Sequence, residues 1–345
     1  MIVSKVAAKF VTSNVGNIED PDKVQHIGEE NLSGDISVLN TPTPDPDETK
    51  TPDQEPTPTP LPTVAIVDNP FEEDTSVINI LLIGEENYYH EFRGRSDAMM
   101  VASLDKDGGD LKLVSFMRDM YVEIPGYSDN KLNAAYAIGG APLLVQTLEK
   151  NFGVKCDGYV LIQYDGFETI VDSLGGLDIS LTQEEAEYLN STDYISKPEQ
   201  RNVVPGKQHM TGAQVLGYCR IRKVDTANGL KYDYGRTYRQ RLVLTELFNK
   251  YKSKGITDLY SIMTKCLKYV TISEGLDKTI EECLQAVVDK SMYNLSTYRV
   301  PFEEKVDGKT VKHYTSTTIN GQQVLCVYPD TAQMLHDILY GVDDE

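Results

Sequence analysis

The chain of 345 residues contains no tryptophan, only five cysteines and no run of 18 or more apolar residues. The cysteines form no CxxC pair and none lies beside a histidine at ligand spacing, which argues against a structural zinc site. We expect them to pack as small free apolar residues, although a Cys266–Cys283 disulfide is an open alternative. Without a long apolar run, no segment is expected to span a bilayer.

Motifs of several enzyme classes are also missing. The sequence has no GxxxxGK[ST] phosphate-binding loop, no GxSxG or Ser/Lys arrangement stands out, and the five histidines show no metal-ligand spacing. These absences argue against P-loop nucleotide hydrolysis and against the common serine-nucleophile enzymes.

Negative charge dominates, and it is unevenly distributed. The formal net charge is −20, and residues 15–75 hold fifteen Asp and Glu against two Lys. The remaining residues carry 38 acidic and 31 basic side chains. A uniformly basic nucleic-acid-binding surface is therefore not expected, and we predict no nucleic-acid partner; a transcriptional regulator fits the sequence poorly.

The N-terminal segment has the composition of a linker. Half of the sixteen prolines fall within residues 41–62, where they alternate with Thr, Asp and Glu. Such a segment cannot build a core and favours extended conformations of about 3 Å per residue. We therefore predict a disordered linker over residues 15–75. Residues 1–14 begin with MIVSKVAAKFV, which the sequence alone leaves open as either the end of an anchor helix or an apolar start without significance.

The pattern of apolar residues predicts an α/β sandwich around one mixed sheet, beginning near residue 76. Buried strands alternate with helices that have apolar positions at helical spacing, and Thr211 is the expected N-cap of one of them. Strands are predicted at 77–83, 99–104, 112–116, 159–162, 177–181, 295–300 and 323–328, and helices at 141–152, 166–174, 211–218, 236–252, 257–269, 279–290 and 329–340.

Arginine is scarce but concentrated. Only ten arginines occur in the chain, and five lie within the 22 residues from 220 to 241. Two further polar clusters, residues 93–97 and 118–119, lie at the ends of predicted strands. The concentrated arginines are Arg220, Arg222, Arg236, Arg239 and Arg241.

The spacing of these residues predicts an anion site. Arg220 and Arg222 are two apart and point the same way in extended backbone. Arg236, Arg239 and Gln240 share one face of the first turn of the predicted helix. Cations there oppose the helix macrodipole unless a bound anion compensates, and the guanidinium group matches phosphate oxygens bidentately.

Asp97 and Asp119 are unexpected in an anion site unless a divalent cation links them to the phosphates, as Mg²⁺ does with one or two carboxylates. A cation and an arginine cluster together would stabilise a transferred phosphoryl group. The residues thus predict a pyrophosphate ligand and phosphoryl transfer. The alternative is that these arginines and aspartates form structural ion pairs.

Several ordered motifs resemble the LytR-CpsA-Psr family. The resemblance covers roughly residues 77–255, and residues 256–345 look like the C-terminal completion of one catalytic domain over 76–345. The motifs are INILLIG (78–84), RSDAMMVASL (95–104), LVSFMRDMYVEIPG (113–126), KLNAAYAIGG (131–140) and YCRIRK…DYGRTYRQ (218–240).

The resemblance implies an α-β-α sandwich with a central mixed β-sheet. It implies an enzyme that moves a teichoic acid, capsule or similar glycopolymer from a polyprenyl-pyrophosphate carrier to a peptidoglycan hydroxyl. It also implies contact with the membrane surface, a position at the extracytoplasmic face of the bacterial cell membrane, and residues 1–14 as the remnant of an anchor helix.

Site residues follow from the same motifs. Asp97 would bind Mg²⁺ or Mn²⁺ and help to activate the acceptor, with Arg118 and Arg236 as its catalytic partners. Glu86 stands where the family usually has the second metal-binding Asp, and Met117 replaces the usual Pro before Arg118. Glu86 also keeps open a non-catalytic polyprenyl-pyrophosphate-binding protein. The implied pyrophosphate ligands are Arg95, Arg118, Arg220, Arg222, Arg236, Arg239 and Gln240, and Asp119 and Asp233 have no assigned role.

Overall fold

The computed structural model of the chain describes residues 75–86, 94–252, 256–289 and 294–341. Within them, the strands are β1 (Val77–Glu85), β2 (Ser96–Asp105), β3 (Asp110–Phe116), β4 (Tyr121–Val122), β5 (Asn130–Lys131), β6 (Gly158–Gln163), β7 (Leu177–Leu181), β8 (Gly206–Met210), β9 (Val270–Ile272), β10 (Asn294–Val300), β11 (Glu303–Val306), β12 (Lys309–Lys312), β13 (Tyr314–Ile319) and β14 (Gln322–Val327). The helices are α1 (Leu132–Phe152), α2 (Tyr164–Ser173), α3 (Gln183–Ser191), α4 (Gly212–Arg220), α5 (Tyr232–Tyr251), α6 (Ile256–Cys266), α7 (Leu276–Asp289) and α8 (Thr331–Tyr340).

Six strands form the central sheet, in the order β10-β3-β2-β1-β6-β9. β1 is antiparallel to β2 and parallel to β6, and β10 is parallel to β3, so the sheet is mixed as predicted. The other strands form two-stranded pairs outside this sheet. Among these is β7, which pairs with β8 rather than joining the central sheet.

Helices cover both faces of the sheet, because successive side chains of a buried strand point to opposite faces. Leu81 and Ile83 of β1 pack into a core with residues of α1 and α8. Leu82, between them, points to the other face and lines a cavity beneath α2, α4 and α5. The predicted α-β-α sandwich is therefore confirmed.

Two helices begin earlier than the sequence indicated. α1 begins at Leu132 rather than at 141, but its axis is broken at Gly140, which has a φ of 69° and lies two residues before Pro142, so the part after the break matches the predicted helix over 141–152. α5 begins at Tyr232 rather than at Arg236, so Asp233 and not an arginine occupies its first turn. An acidic residue in the first turn interacts favourably with the helix macrodipole. The loss of helix stability that was predicted for cations in that turn therefore does not arise.

All five cysteines are free thiols, as the main expectation stated, and Cys266 and Cys283 form no disulfide. The predicted Thr211 N-cap is confirmed, since its hydroxyl accepts a hydrogen bond from the backbone N–H of Gln214. The predicted linker, apart from residue 75, and the predicted anchor remnant over residues 1–14 lie outside the described residues. In the described part of the chain, no helix has the length and apolarity needed to cross a membrane.

Candidate active site

The carboxylate of Asp97 lies at the centre of a cluster of arginines. Its Oδ1 atom is 2.9 Å from Arg236 Nη1, 3.2 Å from Arg118 Nη1 and 3.4 Å from Arg222 Nη2. Its Oδ2 atom accepts a hydrogen bond of 2.9 Å from the hydroxyl of Tyr164. The three arginines thus share one carboxylate oxygen, and the tyrosine contacts the other.

Asp233 is a second carboxylate among the same three arginines. Its Oδ2 is 2.9 Å from Arg118 Nε, and its Oδ1 is 3.4 Å from both Arg222 Nε and Arg236 Nε. Three guanidinium groups therefore face two carboxylates, which leaves an excess positive charge. The side chain of Arg236 is 3% exposed, so this charge lies largely out of water.

The arginines set the protonation state of both carboxylates. Burial would raise the pKa of Asp97, but the charges of Arg236, Arg222 and Arg118 outweigh burial and bring that pKa down to about 2. The pKa of Asp233 is likewise well below its usual range: burial opposes the shift, and the same three arginines cause it. Both groups are ionised at neutral pH.

A third carboxylate, Glu86, lies beside the cluster. Its Oε1 is 3.1 Å from Arg220 Nη2. Burial raises the pKa of Glu86, Arg220 opposes that effect, and the negative charge of Asp97 raises the pKa further. Glu86 and Asp97 are thus close enough to interact electrostatically.

A bulge in the sheet aims Asp97 at the arginines. Gly84 pairs with Ala98 and Glu85 with Ser96, so Asp97 has no partner on β1. Bulges of this kind redirect a side chain and are common beside functional sites. The register shift explains why a residue inside strand β2, rather than before it, reaches the cluster.

Arg118 follows β3 directly, as predicted, and the turn that carries it is held on both sides. Its carbonyl accepts a hydrogen bond from the N–H of Asn133, and the side chain of Asp119 accepts one of 2.8 Å from Lys131. Asp119 is 3.8 Å from Arg118 Nε and takes no part in the contacts of Asp97. Burial and then the charge of Arg118 lower the pKa of Arg95, which lies at the edge of the cluster.

Arg220 and Arg222 both reach the site, and Ile221 between them has extended backbone, with a φ of −57° and a ψ of 130°. Arg220 is the last residue of α4, where a cation favours the macrodipole, and Arg222 lies in the segment that follows. The extended backbone on which the prediction depended is therefore present at Ile221, and both arginine side chains lie beside carboxylates.

The predicted placement of Arg239 beside Arg236 and Gln240 is wrong. Its guanidinium is fully buried, with Nε 2.8 Å from Glu185 Oε1 of helix α3. Its Nη1 and Nη2 donate to the carbonyls of Ile221 and Val224, at 3.2 and 2.8 Å. Residues three apart differ by about 60° around a helix, and here that difference separates Arg239 from the Asp97 cluster. Arg239 instead holds the segment that carries Arg222.

Two cavities meet at this cluster. A polar cavity of about 140 Å³ is lined by Asp97, Arg220, Arg222, Arg236 and two tyrosines, Tyr164 and Tyr194. An apolar cavity of about 250 Å³ lies between the sheet and helices α2, α4 and α5. Its apolar walls include Leu82, Met100, Ile162, Phe167, Leu216 and Leu247.

Gln240 lies where the two cavities adjoin, because it lines both of them, as do Asp97, Tyr164 and Arg220. The Oε1 atom of Gln240 is buried and has no hydrogen-bond partner within the described chain. Buried polar atoms are normally paired. An amide at this boundary can bind a ligand that extends from one cavity into the other.

Sequence reasoning missed the tyrosines and the apolar walls. Tyr164 could have been identified from the sequence, because it directly follows β6. This strand ends beside Glu85, at the same end of the central sheet as Asp97. Tyr194 lies in a segment after α3 whose sequence carries no such signal. The apolar walls come from four strands and three helices and are brought together only by the fold.

The carboxylates of Asp97 and Glu86 are the groups here that could hold a cation. No group of three or more His, Cys, Asp or Glu side chains suited to a metal occurs among the described residues. Mg²⁺ does not need such a group, because it uses one or two carboxylates and takes its other ligands from water and phosphate. The donor set therefore fits Mg²⁺ bound together with a phosphorylated ligand.

Comparisons with known proteins identify a family and a fold that this chain shares. A profile of the LytR_cpsA_psr family matches residues 43–326. The chain is 33% identical over 216 residues to the polyisoprenyl-teichoic acid–peptidoglycan teichoic acid transferase TagU of Bacillus mycoides (strain KBAB4). That alignment covers 60% of this chain and 66% of the relative, just under two thirds of its length.

Solved structures share the fold. TagT bound to LI-WTA superposes with a TM-score of 0.60 at 21% identity, covering 80% of this chain and 95% of that one. The LytR-CPS2A-psr family protein YwtF (TagT) with bound octaprenyl pyrophosphate lipid gives a TM-score of 0.56 at 20% identity, with the same coverage. At these identities the likeness establishes the architecture of the sheet and its helices.

Proposed function

The chain belongs to the LytR-CpsA-Psr family, and from this premise we propose that it transfers a phosphate-linked glycopolymer from a polyprenyl-pyrophosphate carrier to a peptidoglycan hydroxyl. The observation that carries the proposal is the junction of an apolar cavity with a cluster of buried arginines. A polyprenyl pyrophosphate has the matching parts, an apolar chain and a strongly anionic head. The names of TagU and of the lipid-bound YwtF structure support the same donor class.

Donor binding follows from the chemistry of the two cavities. The prenyl chain lies against Leu82, Ile162 and Leu247, and its pyrophosphate lies among Arg220, Arg222 and Arg236. The excess positive charge of the cluster favours an anion, and the low water content strengthens that attraction. Arginine donors already in place stabilise negative charge that develops on the transferred phosphoryl group.

Asp97 acts as the base in this proposal. The acceptor hydroxyl gives its proton to Asp97, and its oxygen forms a bond to the phosphorus that carries the glycan. The bond from that phosphorus to the bridging oxygen breaks, and polyprenyl phosphate leaves with the electron pair. Each arginine that turns from Asp97 to a phosphate oxygen weakens the field that lowers the pKa of Asp97, so donor binding makes Asp97 more basic.

Mg²⁺, or Mn²⁺, is the cofactor in this proposal, held by the carboxylates of Asp97 and Glu86. When bound, it neutralises charge on the pyrophosphate. Once the donor is present, the arginines that contact these two carboxylates can bind phosphate oxygens instead. The carboxylate oxygens then become available to the cation.

The partners and location follow from the chemistry of the donor and the acceptor. A polyprenyl chain resides in a lipid bilayer, and peptidoglycan lies outside it. We therefore propose that the domain works against the membrane surface on its extracytoplasmic side. Teichoic acid is the first glycopolymer to test, since TagU is named for it, and capsular polysaccharide is the second.

Mass spectrometry tests the proposal directly. The purified chain is incubated with a polyprenyl-pyrophosphate-linked teichoic acid precursor, Mg²⁺ and peptidoglycan fragments, beside Arg118→Ala and Asp97→Ala. We expect a phosphodiester-linked adduct from the unchanged protein and none from the variants. Tight donor binding without an adduct would replace the transferase with a non-catalytic polyprenyl-pyrophosphate-binding protein of the envelope. Absence of donor binding would reject both.

A further inference from the structure

The guanidinium group of Arg220 lies between two tyrosine rings. Its Cζ atom is 5.0 Å from the centre of the Tyr164 ring and 5.1 Å from the centre of the Tyr194 ring. Both distances fall within the range of favourable cation–π contacts. Side chains from α2, α4 and the segment after α3 thus meet beside the polar cavity.

Two cation–π contacts of this kind hold an arginine without using its hydrogen bonds. Aromatic rings contact the flat faces of a guanidinium group, while its N–H donors point outward along its edge. One edge donor, Nη2, is 3.1 Å from Glu86 Oε1. Arg220 lines both cavities. The orientation of its guanidinium group therefore determines where its N–H donors lie relative to the apolar and polar parts of a bound ligand.

The close packing of the segment after α3 keeps Tyr194 in place. Its backbone lies directly on α4 at Gly217, where an added Cβ atom would be 3.0 Å from Ile195 Cγ1 and 3.1 Å from the carbonyl of Tyr194. The Tyr194 ring also makes an edge contact of 5.5 Å with Tyr188 of α3. Tyr194 is therefore held from two sides before any ligand binds.

We propose that Tyr194 and Tyr164 are positioning residues, which hold Arg220 with its edge toward the pyrophosphate of the donor. This inference rests on the proposed function. Tyr164 also donates to Asp97, so a change there would alter two groups at once. Tyr194 contacts Arg220 and Tyr188, and among the described residues it forms no hydrogen bond with Asp97 or Asp233, so it isolates the effect on Arg220.

Binding of octaprenyl pyrophosphate, measured by calorimetry on the whole chain, provides the test. Tyr194→Leu removes the ring, and we expect its Kd to rise about fivefold, because the freed side chain of Arg220 must then be ordered when the ligand binds. Tyr194→Phe keeps the ring and should restore the Kd to within about twofold of the unchanged protein. Tyr127→Leu, an exposed tyrosine outside the site, controls for the loss of any surface ring.

A double-mutant cycle distinguishes positioning from a general structural effect. If Tyr194 acts through Arg220, Tyr194→Leu should change the Kd by less than about 1.5-fold when Arg220 is already alanine. An equal effect in both backgrounds, or no effect of Tyr194→Leu in either, overturns the inference. Urea unfolding of each variant verifies that the folded state persists.

The outcomes separate this inference from the function on which it rests. Failure of the unchanged protein to bind octaprenyl pyrophosphate rejects the proposed donor, and the positioning role with it. Binding by the unchanged protein that Tyr194→Leu leaves intact rejects the positioning role alone. In the transfer reaction, the expected signature is a raised KM for the donor with kcat changed by less than about twofold.

Discussion

Arg236 Nη1 lies 2.9 Å from Asp97 Oδ1, and this contact joins helix α5 to strand β2 across 139 residues of sequence. The two side chains are only 3% and 14% exposed. Asp97 also contacts Arg118 and Arg222, and Arg236 also contacts Asp233, so removal of either charge changes the charge balance of the whole cluster. The contact therefore makes the fold and the charge of the site depend on each other.

Asp97→Asn should separate binding from transfer. The substitution keeps the shape of the side chain but removes a negative charge that competes with phosphate for three arginines. We expect octaprenyl pyrophosphate to bind as tightly or more tightly, while transfer to peptidoglycan falls by at least about a hundredfold through loss of the base. Calorimetry and adduct formation measure the two effects. Weaker binding would mean that Asp97 helps to bind the donor through a cation, and that this effect exceeds its competition with the phosphates for the arginines.

Acid should destabilise the protein through the same carboxylate. The pKa of Asp97 is lowered from 3.8 to about 2 in the folded chain, so its ionised form stabilises the fold above about pH 4. That contribution, about 2 kcal/mol, is lost as the pH falls from about 4 toward 2. Urea midpoints measured across this range should fall less steeply for Asp97→Asn. Parallel curves for the two proteins would contradict the assignment.

Arg239→Met should destabilise the fold by about 3–5 kcal/mol, because Glu185 is left buried without its partner. The double change of Glu185→Leu and Arg239→Met removes both charges and should recover most of that loss. Urea unfolding at neutral pH measures both. If Arg239 were instead a pyrophosphate ligand, added pyrophosphate would stabilise the unchanged protein but not the Arg239→Lys variant. We expect no such difference between the two proteins.

Strands with continuous apolar sequence were predictable. β1, β2 and β3 contain buried apolar residues and β6 contains partly buried ones, and the sequence placed each of these strands within a few residues. β11 and β12 were missed because every residue in both is exposed, so burial imposes no apolar pattern on them. Their pairing is visible only in the backbone hydrogen bonds.

The candidate site was predictable as a set of charges but not as a geometry. Strand ends and arginine spacing identified Asp97, Arg118, Arg220, Arg222 and Arg236, which the fold brings together. The direction of Arg239 depends on its angle around α5 relative to Glu185, a neighbour 54 residues away. The cavity walls depend on the space left between the sheet and three helices, which no local pattern encodes.

Leu247→Trp should reduce the room for a prenyl chain without touching the arginines. Leu247 lines the apolar cavity from α5, and a larger ring there fills part of about 250 Å³. We expect the affinity for octaprenyl pyrophosphate to fall about tenfold or more, with that for inorganic pyrophosphate unchanged within about twofold. Phe248→Trp, on the same helix but outside the cavity, is the matched control. Equal losses for both ligands would place the prenyl chain elsewhere.

Glu86→Gln should raise the Mg²⁺ concentration needed for half-maximal transfer by about tenfold, since it removes one of two carboxylates proposed to hold the cation. Burial raises the pKa of Glu86, so protons compete with the cation, and the requirement for Mg²⁺ in the unchanged protein should ease as pH rises. Glu123→Gln is a suitable control, because Glu123 pairs with Lys150 rather than with the arginine cluster. Spin resonance of Mn²⁺ gives the affinity without relying on turnover. An unaltered Mn²⁺ affinity in Glu86→Gln would leave Asp97 and the phosphates of the donor as the ligands, and Glu86 as a residue that orients Arg220.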